Sequence, residues 1–110
     1  MRLTQSEMDR LLIFLLAELA RRHRAKGLRL NHPEAMALIC DEMHQAARGG
    51  ASYEQVLEVG STLLTEEDVL DGVTQLIGTI RLECTFDDGT RLLQVERPIQ
   101  PLAREPVEHT

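Results

Sequence analysis

The sequence predicts an α+β fold: a four-helix N-terminal part followed by a C-terminal two-stranded antiparallel β-hairpin. Three observations carry it. Helix-capping signals recur through the first two thirds of the chain. The hydrophobic period then changes from 3.6 to 2 near Ile80. An Asp88-Gly89 turn signal follows, flanked by alternating residues.

Thr4 followed by Glu7 has the capping-box spacing, and Leu3 with Met8 the staple spacing, for a first helix over about residues 5 to 25. Its last turns hold Arg21, Arg22, His23, Arg24 and Lys26, where cations meet the negative end of the helix dipole, and Gly27 can take the left-handed conformation that stops it. Asn31 and Glu34 form a second capping box, with Pro33 in the first turn, where its missing N–H does no harm. The connector at residues 27 to 35 therefore ends one helix, turns and starts the next. Ala35, Met36, Leu38, Ile39, Met43 and Ala46 form the apolar positions of the second helix, which Gly49-Gly50 stops. Ser52 with Gln55 caps a short third helix expected to end near Gly60. Thr65, followed by Glu66, Glu67 and Asp68, opens a fourth expected to close at Gly72.

Ile80, Leu82, Cys84 and Phe86 then alternate with Arg81, Glu83 and Thr85, the pattern of a strand with one buried face. A type I′ turn at Asp88-Gly89 would set Leu82 opposite Val95, Cys84 opposite Leu93, and Arg81 opposite Glu96 as a stabilising charge pair. An isolated hairpin is marginal in water, so it must pack on the helices or add strands from another chain. Two units are expected: a domain over 1–99 and an extended tail over 100–110 with Pro101 and Pro106.

A chain of 110 residues buries only about two thirds of its unfolded surface and should be marginal alone. Twelve Lys and Arg against 18 Asp and Glu, with no Trp and one Tyr, argue against nucleic acid as a partner. The longest apolar run, Leu11 to Ala17, is far short of a membrane span, and no secretory signal is visible, so the cytoplasm is the expected compartment. Cys40 and Cys84 stand apart, with no Cys-x-x-Cys spacing, and read as buried reduced thiols.

Candidate chemistry is sparse. Asp41 and His44 stand one helical turn apart, as two metal ligands might, with Glu42 close by, but that face reads as a solvated surface. His32 reads as a positional residue in the first turn of a helix, and Ser52 as a cap. Desolvation should leave Cys40 inert. Arg21, Arg22 and Arg24 lie at a helix C-terminus, which presents carbonyls and repels an anion. No catalytic set and no cofactor or metal ligands are expected in this chain. The run Leu11 to Ala17 covers a full helical circumference, which fits either a central core helix or a helix partly buried by another chain.

Four stretches add an identity to this layout: MRLT at the start, ELARRHRAKGLRLNHPEA at 18–35, LTEEDVLDGV at 64–73 and TFDDGT at 85–90. In this order they resemble the urease gamma subunit over residues 1 to 99. The resemblance implies a small α+β subunit that assembles with urease alpha and beta subunits, commonly as a trimer of the three-chain unit, to hydrolyse urea to ammonia and carbamate. It also implies that the two nickel ions and the catalytic groups belong to the alpha subunit. The role left to this chain is structural, an obligate interface for which Leu12, Phe14, Leu15, Leu16, Arg29, Asn31 and His32 are the candidate residues. The chain departs from the family pattern at Val73-Thr74-Gln75-Leu76, at Glu96-Arg97 before Pro98, and at Arg48-Gly49-Gly50. Two readings compete with the structural subunit. One is a diverged, self-associating binding or regulatory module without urease activity; the other is a small independent hydrolase.

Overall fold

The computed structural model describes residues 1–101. Helix α1 spans Gln5–Ala25, with both hydrogen bonds of the Thr4/Glu7 capping box formed, and Gly27 follows it at φ +78°. Helix α2, His32–Arg48, starts from the Asn31/Glu34 box with Pro33 in its first turn. Helix α3, Tyr53–Thr62, starts from the Ser52/Gln55 box. The capping signals fixed these three starts because each satisfies N–H groups that the helix cannot bond internally.

Helix α2 is the centre of the molecule. It packs against α1 on one side and against α3 and the hairpin strand β2, Thr79–Phe86, on the other. Ala35, Leu38, Ile39, Met43 and Ala47 are buried along it, together with Ala37 and Cys40, so little of its circumference meets water. The core that it organises also takes in Leu30, Val56, Leu64, Ile80, Leu93 and Val95. The long apolar run of α1 is therefore not the central core helix that its composition allowed. Only Ala17 and Ala20 of α1 are buried, because two small residues suffice to seat it on α2.

Several elements differ from expectation. Gly60 does not end α3 but lies inside it, where an added Cβ would come 2.6 Å from Met43 Sδ and 3.0 Å from Val95 Cγ2. Glycine here permits a close approach of α3 to α2 and the sheet. The fourth helix is reduced to a 3₁₀ turn, Glu66–Asp68, capped by Thr65. Val69 then becomes extended because the Leu30 N–H donates to the Asp68 carbonyl and the Leu70 N–H to the Leu30 carbonyl, both at 2.9 Å. Gly72, at φ +89°, precedes a one-turn helix α4, Val73–Leu76, and does not close the one before it. A second small sheet, unanticipated, pairs β1, Leu64–Thr65, in parallel with β4, Ile99–Gln100.

The hairpin forms from β2 and β3, Gly89–Glu96, but in a register two residues from the expected one. Leu82 faces Leu93, Cys84 faces Arg91, and Arg81 faces Gln94. A type I′ turn would need positive φ at Asp88. Among the described residues only Arg97 combines a side chain with positive φ, and Gly89 takes φ +126°, so the turn falls on Asp87-Asp88. A shift of two keeps every side chain on its face, so Cys84, Leu93 and Val95 still point to the core. The expected Arg81–Glu96 pair is replaced by a polar chain from Arg81 through Gln94 to Glu96. Of the expected tail, Gln100 belongs to β4, and residues 102–110 lie outside the described residues.

Candidate docking surface

Helix α1 is held to α2 by a narrow apolar stripe and a set of polar ties. Half-buried Ile13 and Leu16 flank the stripe of Ala17 and Ala20. One turn beyond Ala17, the Arg21 guanidinium meets Asp41 Oδ2 at 2.5 Å, Glu42 Oε2 at 2.9 Å and Glu18 Oε1 at 2.5 Å. Partial burial works against the charge of Arg21, but the hydrogen bonds that it donates to the three carboxylates outweigh it and raise its pKa. Near the connector, His23 Nδ1 lies 2.5 Å from Glu34 Oε2, while Glu34 Oε1 accepts the Asn31 N–H at 3.0 Å. One buried carboxylate thus caps α2 and ties it to α1. Arg24 reaches Asp68 at 3.5 Å, and Arg29 reaches Asp71 at 3.2 Å, so the turn after β1 is tied to α1 and the connector.

These contacts correct the reading of Asp41 and His44 as a solvated face. Asp41 is 4% exposed and His44 9% exposed. The Arg21 fork supplies the partner that lets Asp41 be buried, and His44 Nε2 lies 3.2 Å from the Glu83 carbonyl of β2. Burial lowers the His44 pKa, and the positive charge of Arg10 adds to the effect. The imidazole is thus neutral near pH 7, with Nε2–H donating to that carbonyl. Neither residue is free to bind a metal. Among the described residues no group of three or more His, Cys, Asp or Glu side chains is placed to hold one. Burial raises the Cys40 thiol to about 11 and raises that of Cys84 as well, which suppresses the reactive thiolate.

What the fold leaves open is apolar. Leu12 and Leu15 are each 61% exposed, and Phe14, Leu11, Leu19 and Met8 are exposed too. Beside them, Leu12, Ile13 and Leu16 of α1 and His32, Pro33, Met36, Ala37 and Cys40 of α2 line an open groove of about 380 Å³. The candidates Leu12, Leu16 and His32 are brought together in this groove. Leu15 lies outward from it, and Phe14 is on the other flank of α1. Arg29 and Asn31 are exposed on the connector, with Asn31 also engaged as the cap. The sequence did not single out Pro33, Met36 or Cys40 as groove residues, because only the packing of α2 against α1 places them at its floor.

An apolar helix face of this extent, seated on a small α+β body by a few residues, is the kind of surface that interaction sites present. The family is shown by comparison: the family model described as "Urease, gamma subunit" matches residues 1–99, and the chain belongs to that family, the gamma subunit of a hydrolase.

Proposed function

We propose that this chain is a noncatalytic structural subunit of a nickel-dependent urease complex that hydrolyses urea to ammonia and carbamate. Residues 1–99 act as its docking domain. Its partners are the urease alpha and beta subunits, assembled as a trimer of the three-chain unit in the cytoplasm. Both nickel ions and the catalytic groups reside in the alpha subunit, and this chain holds alpha subunits in position.

The observation that carries the reading is the groove between α1 and α2 with the exposed leucines at its rim, on a chain of the urease gamma family. Obligate interfaces are large and apolar, and a marginal domain gains its remaining stability by burying such a face. Leu12, Leu16 and His32 at the groove, with Leu15 and Phe14 outward on α1 and Arg29 and Asn31 on the connector, form the interface. The test is co-expression with candidate alpha and beta chains in the presence of nickel. A stoichiometric three-chain complex with urea hydrolysis is expected. A chain that never binds them and purifies alone as a stable oligomer is instead the self-associating module, and urea hydrolysis by the isolated chain would overturn its noncatalytic role.

A further inference from the structure

We propose that the outer stripe of α1 is a two-fold, antiparallel contact with α1 of a second copy of this chain. Met8, Leu12, Leu15 and Leu19 lie at successive steps of four, three and four residues, which is the spacing of a helix–helix seam, and Leu11 stands beside them, three residues from Met8 and four from Leu15. They are between 44 and 61% exposed and run about 17 Å along the helix at 1.5 Å per residue. The stripe faces away from Ala17 and Ala20, which are buried against α2, so it is distinct from the groove and shares only Leu12 with it.

Charge selects the occupant and its direction. The first turns of α1 carry Glu7 and Asp9, and its last turns carry Arg22 and Arg24, followed by Lys26. Arg10, the one cation in the early turns of the helix, stands seven residues before buried Ala17, about two turns, and so shares its side of the helix and not the stripe. A two-fold axis through Leu15 sets Leu11 of one copy against Leu19 of the other. The same operation brings Glu7 beside Arg22 and lays the Arg22 stem over Met8. Antiparallel dipoles attract, whereas a parallel pair would place Arg22 against Arg22 and like helix ends together. The contact is isologous, so it closes at two copies. Leu12 and Leu15 also belong to the interface proposed for alpha and beta subunits, so the pairing is one of the free chain that assembly would displace, and it does not depend on the urease reading.

The experiment uses the full chain without alpha or beta subunits. Sedimentation equilibrium should give a monomer–dimer equilibrium, and Leu15→Glu, which sets two carboxylates on the axis, should weaken it at least tenfold. Circular dichroism checks that the variant is folded; if it is not, Leu15→Gln serves in its place. Direction is read by a short bis-maleimide. A mixture of Leu11→Cys and Leu19→Cys chains should crosslink to each other in preference to either with itself, and buried Cys40 and Cys84 should contribute little. A wild-type chain that stays monomeric at millimolar concentration overturns the proposal, as does preferential crosslinking of Leu11→Cys with itself. Binding of alpha and beta chains is measured separately. If Leu15→Glu abolishes that binding while the wild type shows no self-association, the stripe belongs to those chains and the proposal fails. If the dimer forms and no alpha or beta chain binds, the urease reading fails and this one stands.

Discussion

At the scale of single residues, His44 and Gly60 show how burial sets the consequences of a side chain or of its absence. His44 is neutral in the folded protein because burial lowers its pKa from the ordinary 6.5. The unfolded state therefore binds the extra proton first, so stability is fully present above about pH 6.5 and is lost as the pH falls through the folded pKa. Urea denaturation at a series of pH values should show this slope, and His44→Gln should flatten it between pH 6.5 and the onset of carboxylate titration. Asp41 and Arg10 are the charges that act on His44, so an unchanged slope would assign the pH dependence to other groups. Gly60→Ala gains helix propensity but forces a methyl into Met43 and Val95, and crowding outweighs propensity when neither neighbour can retreat. A net loss of about 1 kcal/mol is expected in denaturant titrations. Trimming Met43 to Val in the same chain should recover part of what the methyl costs.

Between elements, the α1–α2 contact depends on polar ties as much as on apolar area. α1 buries two alanines, and the fork of Arg21 closes over Asp41, Glu42 and Glu18 one turn further along. Replacing Arg21 by Ala leaves Asp41 buried without its cation, which should cost about 2–3 kcal/mol, less than a fully buried pair because Arg21 itself is partly solvated. Arg21→Met combined with Asp41→Leu removes both charges and should be markedly less harmful. A double-mutant cycle measured by thermal or urea unfolding separates the two effects. Equal losses for the single and double variants would mean that packing, not charge, seats the helix. The connector illustrates the same principle: Glu34 was legible as a capping residue, but its second partner, His23, lies on the preceding helix and meets it only after the chain has turned.

For the whole molecule, docking and folding can be pulled apart at exposed positions. Arg29 makes an ion pair with Asp71, whose side chain is almost wholly solvated, so the pair contributes little to stability. Arg29→Glu should leave the unfolding free energy within about 0.5 kcal/mol of the wild type. It should also weaken assembly with alpha and beta chains in co-purification. Equal assembly of variant and wild type would remove Arg29 from the interface. The departures from the family pattern lie in different settings. Val73–Leu76 form α4, Arg48 is the last residue of α2, and Arg97 takes φ +56° immediately before buried Pro98. Each alters a terminus or a turn rather than the α1–α2 groove.

By itself, the sequence determined the three long helices, the starts of their first turns, the hairpin and the identity of its buried face. Capping and two-residue alternation are local: they involve side chains within four positions of the backbone they act on, so they can be read without knowing the fold. The same economy explains the misses. Val69 is extended because Leu30 bonds the Asp68 carbonyl and the Leu70 N–H on either side of it, a glycine stands inside α3 at position 60 because Met43 and Val95 leave no room for a side chain, and the hairpin register differs because Gly89 carries the positive φ while Asp87 and Asp88 form the turn. Apolar composition could say that α1 had surplus surface but not which way it faced. Tertiary structure alone decided that α2 is the central helix, that Asp41 and His44 are buried, and that the leucines of α1 stand in water, because burial is settled by what packs against a helix and not by the helix itself.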